Sequence, residues 1–522
     1  MEISRIRFYK YVSTAIIGLF PIIAFSQNQE QIQDLSFGGS GTEWVHDMVL
    51  DDDGYTFIFG SSNSTQNSGN KTASLYGAAM NADLWLIKLD QSGSLLWDKS
   101  YGGTGFETPV TLIDGNECLY LVSFSSSDVS GNRTASQKST INSVDIWVVK
   151  VDLSGNIIWD KSFGGNDGES ALDAVMTTDG NIVLAGSSNS SNSGDVSSEN
   201  IYSTTDPWLL KIDTMGNILW QKRYPTINQA QINTIIEDDE GQLIMAISTD
   251  TPNDALKQVD IHGDYDIWLL KMDDSGELLS QNSYGGISTE SDPVLLFYAG
   301  KYYLACSSGS ASASGNKGMD NVGVIDIWFL QLNKDLSISR EIILGGENIE
   351  LVNRGLGIYA YGNNDIVVTT STTSSTNTAS WGNTTHYGDA DFLIVVMDTT
   401  LRISYSVQTG GNDFDESTVT VVNQKGELLL GGTSASPPSG TKKAPLYGAL
   451  DFWLAWLDTP VFTEEYHQPE NSVVLYPNPA VHALHFESGS DYKNYTLFSI
   501  TGEQLQSGRV TEGQNRIEVA VI

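Results

Sequence analysis

The hydrophobic and polar positions along this chain repeat at intervals of 60 to 65 residues. A short apolar stretch that opens with Asp recurs seven times, and its copies begin at Asp83, Asp145, Asp206, Asp266, Asp326, Asp391 and Asp451. Between the copies, short apolar runs alternate with turns rich in Gly, Ser and Asn, without helical periodicity. The pattern predicts an array of β repeats that folds as one body.

One period, residues 162–221, illustrates the four strands that the pattern predicts. Its last strand continues to residue 224. Strand a covers residues 171–176, strand b residues 181–186, strand c residues 206–213 and strand d residues 217–224. Tight turns that contain Gly join a to b and c to d, whereas a long loop rich in Ser and Asn joins b to c.

Strand c is apolar on both of its faces. In the first copy, Trp85, Ile87 and Leu89 alternate with Leu84 and Leu86. A strand in a sheet with one solvent-facing side would be polar at every second position. We therefore expect strand c to lie between two sheets, as it does between neighbouring blades of a propeller.

The two ends of the array predict how the ring closes. The seventh repeat stops after strand c, whereas residues 32–39 match residues 96–103, the end of strand d in the first repeat. We expect residues 31–37 to pair with residues 451–458 as the missing strand, which removes an open sheet edge. The predicted fold is an all-β, seven-bladed propeller of four-stranded blades, closed by the N-terminal strand.

The repeat also has a recognisable consensus. The consensus is Asp-x-Trp/Phe, a hydrophobic stretch with Lys, and Asp-x-Ser-Gly, then Trp-x-x-x-Tyr/Phe-Gly-Gly and Asp-Gly before strand b. This string resembles the bacterial seven-bladed β-propeller repeat, and the resemblance covers residues 31–458 of a propeller domain placed at 27–460. The fifth and sixth copies depart from it, with residues 333–335 and 398–400 in place of the Gly turn.

The N-terminal segment predicts export. Three basic residues precede an apolar run over residues 11–25, which ends at Ser26 and is followed by polar residues. This is the pattern of a secretory signal peptide, residues 1–26, cleaved after Ser26. The run contains Pro21 and is shorter than the roughly 20 residues that span a bilayer, and no later segment is apolar enough to span one.

The C-terminal segment follows a linker, residues 461–471. It contains Tyr476-Pro-Asn-Pro479, an apolar stretch at 483–487 and Ser499-Ile-Thr-Gly502. Residues 472–522 resemble the start of the C-terminal sorting domain of the type IX secretion system. The resemblance implies a small β-sandwich, recognition by the outer-membrane translocon, and a place in the medium or on the outer cell surface. The family continues into a Gly-aromatic strand beyond the last residue here, so an incomplete sandwich is expected.

Composition limits the partners. The formal net charge of −37 and the isoelectric point near 4.2 disfavour binding to nucleic acid or to anionic lipid surfaces. The only two cysteines, Cys118 and Cys306, lie in different repeats, so we expect both to be buried thiols without a disulfide. No motif of a known catalytic class occurs, so an enzymatic role is less favoured than a binding role.

A set of acidic residues recurs four positions after the second Gly of each Gly-Gly pair: Glu43, Glu107, Glu169, Glu290, Glu350 and Asp415. They precede the innermost strand and should surround the mouth of the axial channel. Either each carboxylate caps the amides of its own d–a turn, or the ring binds Ca²⁺ or another cation. The Asp that opens each strand c is expected to brace the start of that strand.

The long b–c loops share one face of a propeller with the d–a turns, and such loops commonly carry binding residues. The aromatic candidates for stacking on sugars or partner side chains are Tyr76, Tyr202, Trp381, Tyr387 and Tyr447. The leading hypothesis is an exported, non-enzymatic surface or secreted protein that binds a glycan or protein partner. The alternatives are solvated spacer loops in a structural surface component, and a metal- or carboxylate-dependent hydrolase or lyase at the channel mouth.

Overall fold

The structure of the protein is a computed structural model. It describes residues 33–457, apart from residues 79, 141–142, 203–204, 255, 352–356, 363, 375–378, 383 and 424–425, together with strands near both termini. The chain divides into two compact units, one over residues 32–459 and one formed by residues 1–31 and 460–522.

The first unit contains seven antiparallel four-stranded sheets, each with strands a, b, c and d in this order from one edge to the other. The predicted all-β fold of seven four-stranded blades is confirmed. Strands a of blades 1 to 7 are Glu43–Leu50, Glu107–Asp114, Glu169–Met176, Ala230–Glu237, Glu290–Tyr298, the split pair Glu350–Leu351 and Gly357–Tyr361, and Asp415–Val422. Strands b are Thr56–Ser62, Cys118–Ser125, Ile182–Ser188, Leu243–Thr249, Lys301–Ser308, Asp365–Thr372 and Leu428–Ser434.

The buried and outer strands follow the same order. Strands c are Asp83–Leu89, Asp145–Asp152, Asp206–Ile212, Asp266–Met272, Asp326–Leu332, Asp391–Asp398 and Asp451–Leu457. Strands d are Leu95–Tyr101, Ile157–Phe163, Ile218–Arg223, Leu278–Tyr284, Ile338–Leu344, Ile403–Thr409 and, for blade 7, Gln33–Phe37.

The strand Gln33–Phe37 closes the ring as predicted. It pairs antiparallel with strand c of blade 7, with Leu35 opposite Leu454 and Ser36 opposite Trp453. The carboxylate of Asp34 also accepts a hydrogen bond from the Trp453 indole N–H at 3.0 Å. The first and last strands of the propeller therefore belong to one sheet.

The core lies between the blades, because strand c is buried on both faces. Every residue of Asp83–Leu89 is buried, for example, which confirms the expectation from its two apolar faces. Strand c of each blade except blade 6 supplies a tryptophan that is at most 1% exposed: Trp85, Trp147, Trp208, Trp268, Trp328 and Trp453. The Trp85 ring packs against Phe452 with centroids 4.7 Å apart, so the core continues across the closure.

The c–d turns show why the fifth and sixth copies can depart from the consensus. Gly155 of blade 2 has a φ of +77°, a conformation that Gly adopts at little cost. Leu336 in blade 5 and Leu401 in blade 6 adopt φ of +66° and +65° at the corresponding position. Both side chains are buried, which offsets the cost of that backbone conformation with apolar contact.

The second unit consists of strands from both ends of the chain. Ile3–Tyr9 pairs with Thr14–Ile16 and Asn494–Ser499, which pairs in turn with Gln504–Arg509. Ala483–Ser488 lies between Val474–Tyr476 and Gly513–Glu518. The predicted cleavage position after Ser26, the linker and residues 477–482 and 500–503 lie outside the described residues.

Two further expectations concern the cysteines and the membrane. Cys118 and Cys306 are free, buried thiols, as expected. In the part of the chain that the structure describes, no helix has the length and apolar character needed to cross a bilayer.

Candidate functional site

The candidate site is the surface formed by the b–c loops, the d–a turns and the first two residues of each strand a, which we call the loop face. The b–c loops cover residues 63–82, 126–144, 189–205, 250–265, 309–325, 373–390 and 435–450. The d–a turns cover residues 38–42, 102–106, 164–168, 224–229, 285–289, 345–349 and 410–414.

The b–c loops are fastened to the d–a turns by a recurrent Ser-Gly-Asn turn. Asn70 donates its backbone N–H to the Gly38 carbonyl at 3.0 Å, and its side-chain oxygen accepts the Gly38 N–H at 2.8 Å. Asn132 makes the same two contacts with Gly102, at 3.2 and 2.9 Å. Gly69 has a φ of +58°, and a Cβ there would meet the Gly38 carbonyl oxygen at 2.2 Å. These contacts attach the described parts of the two loops to the adjacent d–a turns.

The cations of these loops point inward. Five of them are at most 2% exposed: Lys71, Arg133, Lys257, Lys317 and Lys442. Lys71 Nζ donates to the Ala73 carbonyl at 2.8 Å and lies 5.9 Å from the centroid of the Trp85 ring. Burial lowers the pKa of Lys71, although nearby Asp98 and Asp83 oppose that shift. The sequence pattern Ser-Gly-Asn-Lys/Arg signals three of these residues, Lys71, Arg133 and Lys317, but sequence reasoning passed over it.

The six repeated acids are all buried, with exposures of at most 2%. Each accepts the backbone N–H of the second Gly in its own turn, at 2.9 Å for Glu43, 3.4 Å for Glu107, 2.7 Å for Glu169, 2.7 Å for Glu290, 3.0 Å for Glu350 and 2.6 Å for Asp415. The other oxygen of Glu43 accepts the Ser62 hydroxyl at 2.7 Å. These are the contacts of a carboxylate that caps the amides of its own d–a turn, the first of the two alternatives.

At five of the seven blade boundaries, such an acid approaches the Asp of the preceding strand c. A Cβ added to Gly102 would lie 2.6 Å from both Asp83 Oδ1 and Glu107 Oε2, so only Gly fits between them. Asp83 holds the b–c loop that precedes it, since it accepts the Tyr76 N–H at 2.6 Å. The acids therefore meet in pairs. Among the described residues, no group of three or more His, Cys, Asp or Glu side chains is arranged to hold a metal ion.

Burial raises the pKa values of several of these acids. Burial, reinforced by the neighbouring carboxylate, raises the pKa of Asp83 to about 7 and that of Glu350 to about 7. The same causes raise the pKa of Asp391 to about 6 and that of Asp451 to about 6. Two carboxyl groups this close share a proton more readily than they both ionise.

We expect the unfolding temperature to rise by roughly 5 °C when the pH is lowered from 8 to 5.5. Carboxyl groups with a raised pKa bind protons more tightly in the folded state, so their contribution is complete below about pH 4 and is lost as the pH rises towards 7. Differential scanning calorimetry at constant ionic strength measures the shift. The double variant Asp83→Asn with Asp391→Asn should flatten the dependence, and an unfolding temperature as high at pH 8 as at pH 5.5 would contradict the argument.

The boundary between blades 3 and 4 is built differently. Ala230 replaces the repeated acid, and Arg223 occupies the position that Ser100 has in blade 1. The Arg223 guanidinium lies 3.1 Å from Asp206 Oδ2 and donates to the Ser188 hydroxyl at 2.9 Å, with both charged groups buried. An ion pair thus takes the place of an acid pair.

The predicted loop aromatics do not form one set. Tyr76, Tyr202 and Tyr447 are 37%, 44% and 40% exposed, and Tyr387 is half-buried. The expectation that Trp381 is available to a ligand is wrong, because its side chain is only 4% exposed and packs in the core between blades 5 and 6.

Trp381 is buried because of its place in the loop. The preceding residue, Ser380, donates its N–H to the Gly345 carbonyl at 2.8 Å, as Asn70 does to Gly38. Trp381 therefore occupies the inward position that Lys71 has in blade 1. Nothing in the local sequence of the sixth loop, which lacks the Ser-Gly-Asn-Lys string, indicates this equivalence.

Three of the tyrosines share a position that sequence reasoning did not recognise. The backbone N–H groups of Tyr76, Tyr387 and Tyr447 donate to the Asp of their own strand c at 2.6, 2.7 and 2.5 Å. Tyr76 also packs on the next loop, since a Cβ at Gly131 would lie 2.9 Å from it. These contacts hold the tyrosines at equivalent places on the loop face.

Exposed apolar side chains are concentrated on the loop face. Of the 18 large hydrophobic residues that are exposed in the described part of the chain, 13 lie there: Trp44, Tyr76, Met80, Phe106, Val129, Ile201, Tyr202, Ile227, Ile287, Met319, Val322, Val324 and Tyr447. The other five lie on strands d and at one c–d turn: Leu96, Ile158, Leu219, Leu279 and Met215. Concentrated exposed apolar surface is typical of an interaction site.

Two other features have no sequence signal. Asp47 and Asp173, at bulges in innermost strands, accept backbone N–H groups of the next blade, Asp47 from Leu112 at 2.7 Å and Asp173 from Ile235 at 2.8 Å.

Two equivalent grooves of about 500 and 540 Å³ lie at the outer strands, between blades 1 and 2 and between blades 2 and 3. Polar and apolar groups both line them, with Lys99 in the first and Lys161 in the second.

Comparison with known proteins supplies no family. No known protein family and no curated protein matches the chain. Similar solved structures include a PL25 ulvan lyase, a polysaccharide lyase, with 10% identity, a TM-score of 0.43 and coverage of 76% of this chain and 93% of that one. The WD40 domain of Neurospora crassa Pan2 has 10% identity, a TM-score of 0.40 and coverage of 82% and 92%. A protein of unknown function from Dyadobacter fermentans has 12% identity, a TM-score of 0.39 and coverage of 71% and 100%.

Proposed function

We propose that this chain is an exported, non-enzymatic β-propeller that binds a macromolecular partner through its loop face, in the medium or on the outer cell surface. The observation that carries the proposal is that, among the residues the structure describes, 13 of the 18 exposed large hydrophobic residues lie on this one face. Exposing them costs free energy that a partner would recover by covering them.

The construction of the loops supports the same proposal. Their hydrogen bonds to the d–a turns, such as those of Asn70 to Gly38, hold the exposed side chains on an ordered scaffold. A surface that is already ordered loses little conformational entropy when it binds. The tyrosines suit this role, because a large ring with two rotatable bonds contributes much contact area at a small entropic cost.

The repeated acids support a structural role and not a catalytic one. A hydrolase or lyase at the channel mouth would need a carboxylate displaced from its turn and open to a substrate. All six are buried and accept the N–H of the second Gly, so none is displaced. We therefore do not propose acid–base or metal chemistry for them.

The proposed localisation outside the cell rests on the two ends of the sequence. The signal-peptide pattern of residues 1–26 and the resemblance of residues 472–522 to a type IX sorting domain together support export through the periplasm and the outer membrane. Cell fractionation of the full chain and of a chain that lacks residues 472–522 tests this. The full chain should be found outside the cell and the shortened chain in the periplasm, whereas equal export of both would contradict the sorting role.

The binding role is tested by polar substitutions on the loop face. The triple variant Tyr76→Ser, Val324→Ser, Tyr447→Ser should lose at least about tenfold in affinity for intact cells of the producing bacterium or for a glycan on a glycan array. The labelled protein and these two probes are sufficient for the measurement.

The matched control changes the same kind of side chain elsewhere. The variant Leu96→Ser, Ile158→Ser, Leu279→Ser removes exposed apolar groups from the outer strands and should bind as the unmodified protein does. Equal losses in the two variants, or a loss confined to the outer-strand variant, would contradict a partner site on the loop face.

A further inference from the structure

We propose that the partner of the loop face is a basic protein surface, one that combines Lys and Arg with apolar side chains. This inference rests on the proposed function and adds the chemistry of the partner. It is drawn from the charges that the loop face exposes, the charges that it hides, and the position of both relative to the exposed apolar residues.

The exposed charge of the loop face is almost wholly negative. Eight of its carboxylates are exposed and take part in no ion pair with any residue that the structure describes: Asp128, Asp167, Glu199, Asp260, Asp264, Asp320, Asp389 and Asp413. Such carboxylates keep their full charge towards solvent and produce an attractive field for cations.

The same loops contain cations, but the fold hides them. The described loops and turns of this face hold seven Lys or Arg residues, of which Lys71, Arg133, Lys257, Lys317 and Lys442 are buried. Lys138 is partly exposed and forms an ion pair with Asp195. Lys443 alone of the seven is exposed without an ion pair among the described residues. The negative field therefore follows from how the loops fold as well as from composition.

Acidic and apolar groups alternate along the loops. Val129 follows Asp128, Met319 precedes Asp320, and Ile201 lies two residues after Glu199. All three apolar side chains are exposed, at 58%, 37% and 66%. A neutral glycan could donate hydroxyl hydrogen bonds to the carboxylates but would bring no opposite charge to them, and an anionic glycan or an acidic protein would be repelled by them. A partner with basic and apolar groups in alternation satisfies both kinds of residue.

Protein is favoured over other polycations because the apolar residues need covering too. Oligomers of glucosamine carry positive charge but few apolar groups, so they would leave side chains such as Val324 and Ile287 largely uncovered. Lys and Arg bring long apolar stems with their charges, and neighbouring Leu or Val residues would fill the gaps between them.

The test uses a synthetic peptide that alternates Lys and Leu as the probe, with the full-length protein. The variant Asp167→Lys, Asp264→Lys, Asp389→Lys changes three exposed carboxylates that accept no hydrogen bond from the described residues. We expect its affinity for the peptide to fall at least about tenfold, and the affinity of the unmodified protein to fall as salt is raised.

A control of equal charge separates this site from the general acidity of the chain. The variant Asp53→Lys, Glu117→Lys, Asp274→Lys makes the same change in net charge at a–b and c–d turns on the opposite face. It should bind the peptide within about twofold of the unmodified protein. Equal losses in the two variants would overturn the proposal, as would tighter binding of a Lys-Ser peptide or of a glucosamine oligomer than of the Lys-Leu peptide.

The outcome can be read separately from that of the proposed function. If binding to intact cells depends on Tyr76, Val324 and Tyr447 but is unchanged by the three Asp→Lys substitutions, the loop face remains a binding site and the basic partner is wrong. If neither variant changes binding to cells, the proposed function itself fails. If both variants lose binding to cells and the charge-reversed variant loses the peptide, both inferences are supported.

Discussion

Replacing Phe37 with Ala is expected to lower the free energy of unfolding of the propeller by about 3–5 kcal/mol. Phe37 is the last residue of the strand that closes the ring, and it is 5% exposed. Its side chain belongs to the core cluster with Val45, Trp85 and Leu454, which joins blade 7 to blade 1. The substitution leaves a cavity where no other strand can supply the missing contact.

Equilibrium unfolding in urea, followed by tryptophan fluorescence, measures this effect, because the buried tryptophans lie in the strands that separate. Phe106→Ala is the matched control, since Phe106 is 41% exposed on a d–a turn. The Phe106→Ala substitution should change the free energy of unfolding by no more than about 0.5 kcal/mol. Equal losses for Phe37→Ala and Phe106→Ala would show that the closing strand adds little to stability.

Replacing Arg223 with Ala is expected to cost about 3–5 kcal/mol as well, for an electrostatic reason. The Asp206 carboxylate would stay buried without the guanidinium that lies 3.1 Å from it. The Ser188 hydroxyl and the Ser190 carbonyl would also lose the donor that Arg223 provides. Breaking one half of a buried ion pair costs more than the pair contributed, because the remaining charge is desolvated.

The same unfolding measurement tests this substitution against Arg340→Ala, which removes an exposed guanidinium from strand d of blade 5. A second comparison uses the other blades as a template. The double variant Arg223→Ser with Ala230→Glu installs the Ser and Glu of blades 1 and 2 and should recover part of the loss, since it restores the side chains found at the boundary between those blades. A cost for Arg223→Ala no greater than that for Arg340→Ala would contradict the argument.

The propeller could be predicted from sequence because its signals are local and repeated. Seven copies of an Asp-led apolar strand defined the blades, and the match of residues 32–39 to residues 96–103 identified the closing strand. The pairing of Leu35 with Leu454 follows from that match. Capping of the d–a turns by the repeated acids was one of two alternatives that the spacing allowed, and only the hydrogen bonds of Glu43 and its equivalents distinguish them.

The candidate site was less predictable, because burial in a loop depends on residues from a neighbouring turn. Trp381 and Tyr447 are both aromatic residues of polar loops, yet one is 4% and the other 40% exposed. What separates them is whether the preceding residue is hydrogen-bonded to a Gly in the adjacent d–a turn, as Ser380 is to Gly345. The inward direction of Lys71 depends on the equivalent contact, which joins Asn70 to Gly38. Gly38 is far from Lys71 in sequence, so the residues next to Lys71 do not indicate this direction.

The position of the closing strand has a consequence for how the molecule is made. Gln33 pairs with Trp456, so some 420 residues of chain separate partners in the same sheet. Joining ends this distant carries a large loop-closure cost until the intervening blades have stacked, which makes this pairing a late step of folding. The first strand of the propeller to be synthesised therefore stays unpaired until the last strand of the propeller is made. A ribosome that stalls before Leu457 releases a chain with exposed strand edges, on which proteases and aggregation can act.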